Sequence, residues 1–195
     1  MRLDVLEHGH KWPARMFRRI VALVLRDELD DVAKTAMHRP EFFGRWFFDY
    51  GHEVLRGQSF WTAGEREYLA MATSRLNECT FCARVHTETT RLESRGEVAV
   101  DDPSVLRPEL AATLVLLEKL TTDPDGVTTA DVDAVRAAGV PDVAIVDALH
   151  VNLIFNLVNR LANAFGWSWD SEAHTRKGAK VIHFVRYKLP GFVLR

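Results

Sequence analysis

Cysteine is scarce in this chain: the only two, Cys79 and Cys82, lie three residues apart. A pair so placed cannot staple a fold of 195 residues, so a disulfide scaffold is excluded. Strand patterning is missing too. Runs of Val, Ile and Thr with period-two alternation do not occur, and apolar residues recur at three- and four-residue spacing instead. The apolar run Ile20 to Leu25 ends at once in Arg26-Asp27-Glu28, with no small-residue cleavage site after it, so the expectation is no signal peptide, no membrane span and a cytoplasmic location. Neither sign of charge dominates: 25 Lys and Arg against 27 Asp and Glu give a net charge of −2, without the basic footprint of a nucleic-acid binder. No glycine-rich phosphate loop, nucleophilic-serine elbow or haem-attachment sequence is present, so no cofactor is expected beyond an external dithiol reductant.

What is there reads as a single domain with an ordinary core, 47% hydrophobic and 27% charged. Helix signals run along most of it. The first helix is expected from Pro13 to Leu25 and the second from Glu28 to Met37. Pro40 opens a third through Phe42, Phe43, Trp46, Phe47 and Leu55, closed by Gly57. Thr62-Ala63-Gly64-Glu65 has the form of a capping box, which starts a helix at Ala63 that runs to Leu76. Asn77 stops it, and NECTFC opens the next helix, to Ser94, making a helical hairpin. Further helices are expected from Glu109 to Leu120, from Thr128 or Thr129 to Ala138, and from Pro141 to Phe165. The second half thereby repeats the outline of the first: a threonine-capped helix, a break and a longer helix. The fold expected is all-α, a bundle built on helical hairpins with an internal structural repeat.

Other features have plain readings. Asn152, Asn156, Asn159 and Asn163 form one polar stripe on an apolar helix, which calls for a hydrogen-bonded seam within the bundle or between subunits, with a lining of the pocket near Cys82 as the other reading. Trp46, Phe47, Phe48 and Trp61 read as core or interface. From His174 to Arg195 the chain carries Arg176, Lys177, Lys180, Arg186, Lys188 and Arg195 and no acidic residue, a solvated or subunit-contacting tail.

The chemistry gathers at Cys79-Thr80-Phe81-Cys82-Ala83-Arg84-Val85-His86. Cysteines at i and i+3 of a helical turn sit about 5–6 Å apart and can cycle between dithiol and disulfide. Cys82 and His86, at i and i+4, share a face, and a helix N-terminus adds positive partial charge near both sulfurs. Thiolate is favoured, but lowering a thiol pKa from about 8.5 to about 6.5 raises its thiolate fraction only roughly 25-fold, while falling nucleophilicity takes back roughly 8-fold. A gain of about threefold is too small to be the mechanism. If the electrophile is a peroxide, the departing oxygen needs a proton, and a placed acid contributes about 10²–10⁴-fold. Glu67 is the carboxylate in reach: the hairpin folds its helix back so that it faces His86. Ser74, at i+7 from Glu67, falls on the same face and is expected to add a hydroxyl to the pocket. Glu65 belongs to the cap.

The run Glu67, Cys79, Cys82, His86, set in EREYLAMATSRLNECTFCARVHTE, resembles the signature of the AhpD-like alkylhydroperoxidase branch of the carboxymuconolactone decarboxylase superfamily. The likeness extends to HRPEFFGRWFFDYG, TADVDAVRAAGV and FNLVNRLANAFG. It makes residues 38–166 the family core, 1–37 a helical extension and 167–195 a basic tail. It implies an all-helical homo-oligomer that reduces peroxides with electrons from a thiol or redox-protein donor. On that likeness Cys82 is the sulfur oxidised to sulfenic acid and Cys79 the resolving thiol and proton donor, with His86 and Glu67 as the relay. The chain departs from AhpD at Phe81, where AhpD has a second histidine. Two other readings stay open on sequence: a cofactor-free decarboxylase or isomerase of the same superfamily, and a non-enzymatic module in which the pair senses redox state or holds zinc.

Overall fold

Helix starts and stops account for most of the architecture. In the computed structural model, which describes residues 1–26 and 28–193, the regular structure is helical and no strand occurs among the described residues. In chain order the α-helices are α1 (Val5–His8), α2 (Trp12–Leu25), α3 (Asp31–His38), α4 (Pro40–Phe43), α5 (Arg45–Arg56), α6 (Ala63–Leu76), α7 (Thr80–Ser94), α8 (Pro108–Thr122), α9 (Thr129–Ala137), α10 (Asp142–Phe165) and α11 (Glu172–Val185). Asp27, from the charged stop after α2, and Arg195, from the basic tail, lie outside the described residues.

Apart from the short α1, which no signal announced, two boundary departures from the sequence reading exceed two residues. α3 starts at Asp31 rather than Glu28, because the Asp30 carboxylate caps it by accepting from the Ala33 amide at 2.7 Å. The single helix expected from Pro40 is two, broken at Gly44 with φ −89° and ψ −137°. A Cβ at that position would lie 2.0 Å from the Pro40 carbonyl oxygen, so the break depends on glycine.

The α6–α7 hairpin is the centre of the molecule. Its capping box forms as read: Glu65 N–H donates to Thr62 Oγ1 at 3.2 Å and Thr62 N–H to Glu65 Oε2 at 2.8 Å, while Arg107 pairs with the same glutamate. Residues of α6 are buried on every side, with α5, α7, α8 and α10 packed around it. The turn to α7 uses Glu78 in the left-handed region, φ +53°, and a bond from Cys79 N–H to Ser74 O of 2.9 Å. At the far end of the hairpin Gly64 lets the helices close: a Cβ there would meet Ser94 Cα at 2.6 Å. Backbone cannot yield as a flexible side chain would. Gly64→Ala is therefore expected to lower stability by about 1–3 kcal/mol, despite the higher helix propensity of alanine, as measured by urea unfolding.

α10 is long and apolar enough, by length and composition, to cross a membrane, and half of its most apolar window is buried against the rest of the bundle. Its asparagine stripe forms the seam read from sequence. Asn152 donates to Thr121 Oγ1 (2.8 Å) and Thr73 Oγ1 (3.2 Å), Asn156 to Asn152 Oδ1 (2.8 Å), and Asn163 to Asn77 O (3.0 Å). Phe47 and Trp61 are core; Trp46 is exposed and Phe48 half-buried.

The C-terminal segment departs most from the sequence reading of a solvated or subunit-contacting tail. Trp167 Nε1 donates to Thr35 Oγ1 at 3.1 Å and Trp169 Nε1 to Phe81 O at 3.0 Å, and α11 then packs along α7. Arg176 and Lys180 are exposed, as is Phe184, but Thr175 and Ala179 are buried, and Trp169, Ile182, Val185 and Tyr187 line the cavity that reaches Cys82. Counting charges captured only the outer face.

Candidate active site

Glu67 fixes the site. It is fully buried in the middle of α6, and four donors converge on its two oxygens. Arg56 Nη2 (2.7 Å) and the Tyr187 hydroxyl (2.8 Å) meet Oε1; His86 Nδ1 (2.7 Å) and the Thr89 hydroxyl (2.7 Å) meet Oε2. Burial alone would raise the carboxyl pKa, but Arg56, His86 and Thr89 outweigh it and hold it at about 2. Glu67 is thus an anion at any physiological pH. It does not supply the proton that the sequence argument asked of it. What it does is accept: an ionised carboxylate has no donor, so His86 must present Nδ1–H to it, which leaves Nε2 as the nitrogen free to exchange a proton. Phe155 meets the imidazole edge-on at 4.4 Å and completes the clamp.

The cysteines sit at the first turn of α7. Cys79 is its N-cap, and its sulfur accepts the Cys82 amide at 3.5 Å. A hydrogen bond from the Cys82 thiol, together with the amides of Cys82 and Phe81, lowers the Cys79 pKa against the opposing effect of burial. That same hydrogen bond, burial and the charge on Cys79 push the Cys82 thiol well above its usual value. The sulfur favoured as thiolate in the resting pair is therefore Cys79.

Access favours the other one. A cavity of about 100 Å³, almost wholly apolar, reaches Cys82 and His86 between Phe47, Phe155, Trp169 and Tyr187, and Cys79 does not line it. Phe81, at the position of AhpD's second histidine, stacks on Trp169 with ring centres 4.6 Å apart and planes 2° from parallel. An aromatic wall stands where a proton carrier was counted missing.

The structure brings together Glu67, Cys79, Cys82 and His86. Ser74 it does not: that hydroxyl donates to Ala70 O (2.7 Å) and Asn159 Oδ1 (3.2 Å). Seven residues put Ser74 on the face of Glu67 but about 10 Å further along the axis, level with the α10 seam. Three partners went unread in the sequence. Thr89 was within reach of pattern, three residues after His86 on the same face. Arg56 and Tyr187 come from segments 11 residues before and 120 residues after Glu67, and no spacing rule links them to it. Among the described residues no group of three or more His, Cys, Asp or Glu side chains is placed to hold a metal ion.

No protein-family model and no curated protein sequence matches this chain. Solved structures do. The alkylhydroperoxidase AhpD core, an uncharacterized peroxidase-related protein from Ralstonia eutropha JMP134, is similar with a TM-score of 0.73 and 26% identity, over 91% of this chain and 96% of that one. An uncharacterized peroxidase-related protein from Silicibacter sp. TM1040 shares the fold, with a TM-score of 0.71 and 23% identity over 90% of this chain and 95% of that one. The chain has an AhpD-like, all-helical fold, and its structural relatives are peroxidase-related proteins.

Proposed function

We propose that the protein is a thiol-dependent peroxidase. The observation that carries this reading is Cys82, half of a CxxC pair, lining an apolar pocket beside a histidine whose ring is held by an ionised carboxylate. In the first step the Cys82 proton passes along its hydrogen bond to Cys79, and the Cys82 thiolate attacks the terminal peroxide oxygen. The O–O bond breaks, sulfur is oxidised to sulfenic acid, and the alkoxide leaves as alcohol with the proton returned by Cys79. In the second step the Cys79 thiolate attacks the sulfenic sulfur; hydroxide departs as water with a proton delivered through His86, and the disulfide forms. An external dithiol or redox protein then supplies the two electrons that restore both thiols. Glu67 fixes the imidazole and Arg56 balances its charge. The exposed apolar stripe Val143, Val146, Leu153 and Leu157 on α10 supports assembly as a homo-oligomer.

The test is stoichiometric. Fully reduced protein treated with cumene hydroperoxide should lose both thiols for each peroxide consumed, and dithiothreitol should sustain turnover. Equal peroxide consumption by protein with both thiols alkylated would sink the reading.

A further inference from the structure

We infer that Tyr187 is a positioning residue of the thiol site, holding the Glu67 carboxylate from the pocket side while its ring closes the pocket over Cys82 and His86. The inference rests on the peroxidase reading only in what it says about turnover. Its geometric basis is independent.

Three observations converge on Tyr187. Its hydroxyl donates to Glu67 Oε1 at 2.8 Å, the oxygen that also meets Arg56, and its ring lies beneath the Arg56 guanidinium with 5.1 Å between them. Its side chain lines the same cavity as Cys82 and His86. And its backbone is strained: Arg186 (φ +52°) and Tyr187 (φ +63°) are consecutive left-handed residues. With Lys188 N–H bonded to Val185 O at 3.0 Å, they occupy the two central positions of a type I′ turn, where Asn-Gly is the usual occupant. Two bulky residues hold that conformation only where the surroundings over-determine it. Here they do. His52 Nδ1 bonds Arg186 O at 2.8 Å, His183 bonds Glu93 at 2.9 Å, and Glu93 pairs with Arg56 at 2.7 Å.

The strain thus serves one end, the delivery of a phenol to a buried carboxylate. Burial and the charge on Glu67 raise the phenol's pKa well above its usual value, so it stays a donor. Glu67 has Arg56 as well, so neutralising its charge does not require Tyr187. What Tyr187 adds is direction: with a donor on the pocket side of Oε1, Oε2 stays turned toward His86.

Two variants and two readouts separate this role from packing. Tyr187→Phe keeps the ring and loses the hydroxyl; kcat for cumene hydroperoxide should fall about tenfold with KM unchanged and the melting temperature within a few degrees of wild type. Tyr187→Ala opens the pocket, so iodoacetamide should alkylate Cys82 about tenfold faster, located by peptide mass spectrometry. Wild-type kcat in Tyr187→Phe, or a wild-type alkylation rate in folded Tyr187→Ala, overturns the inference. Should the wild-type protein consume no peroxide, the peroxidase reading fails, and the alkylation rate alone decides whether Tyr187 closes the pocket.

Discussion

Glu67→Gln is expected to cost about 3–5 kcal/mol of folding stability, the range for removing one partner of a buried ion pair. The substitution keeps shape and changes chemistry. Arg56 is left with Glu93 alone, while four donors that faced two anionic oxygens now face one amide oxygen and one NH₂. The NH₂ can be met only if His86 switches tautomer and Thr89 turns its hydroxyl to accept, and the buried Arg56 then faces a neutral oxygen in place of an anion. The pH dependence gives the same group a second signature. Folded Glu67 titrates at about 2 against an ordinary value of 4.5, so its contribution is fully present above pH 4.5 and lost as pH falls toward 2. A shift of that size corresponds to about 3 kcal/mol. Urea unfolding at steps from pH 6 to pH 2 should therefore show the gap between wild type and Glu67→Gln narrowing with acid. A gap that stays constant across that range would mean that Glu67 is not the buried anion described here. Activity should fall in the variant as well, because His86 loses the acceptor that fixes its tautomer. A rate loss with intact stability, the outcome expected of a proton source, is not the pattern this geometry supports.

The sequence carried the core of the site because that core is local. Cys79, Cys82 and His86 are tied by helical spacing, and the capping box at Thr62 with the stop at Asn77 fixed the hairpin that carries Glu67 to them. What it did not carry was the electrostatic setting. Glu67 read as a proton source because its other neighbours were unknown; with Arg56 and Thr89 in place beside His86 its carboxyl pKa is held at about 2. Ser74 shows the converse limit. Face periodicity was right, yet α6 is buried all round, so sharing a face did not mean sharing a pocket. The C-terminal segment was read by charge, and its contribution is made by aromatic side chains that charge counting does not see. Even the break at Gly44 turns on a contact with Pro40, invisible in a pattern that simply allowed the helix to continue.

Access and acidity give opposite answers about which sulfur meets the peroxide, and the two serine variants decide between them. Cys82 lines the pocket, while Cys79 is the sulfur whose pKa the neighbouring thiol and the helix amides lower. Access should win, since a thiolate that the substrate cannot touch does no chemistry, and the S–H···S hydrogen bond lets the proton move between the two sulfurs. Cys82→Ser is accordingly expected to lose at least about 10³-fold in peroxide turnover, the scale on which removing a nucleophile acts. Cys79→Ser should consume one peroxide per chain, more slowly than wild type because Cys79 no longer takes and returns the Cys82 proton, and then slow about a further 10²-fold, with a sulfenic acid on Cys82 that a dimedone-type probe captures, because an intramolecular resolving thiol has been exchanged for an external one. Both variants should remain folded. Serine is a preferred N-cap at position 79, and a hydroxyl at 82 can still donate toward Cys79. The contrast is therefore one of mechanism rather than stability. A single turnover in Cys82→Ser together with none in Cys79→Ser would exchange the two roles, and would mean that the pocket opens to Cys79 during turnover.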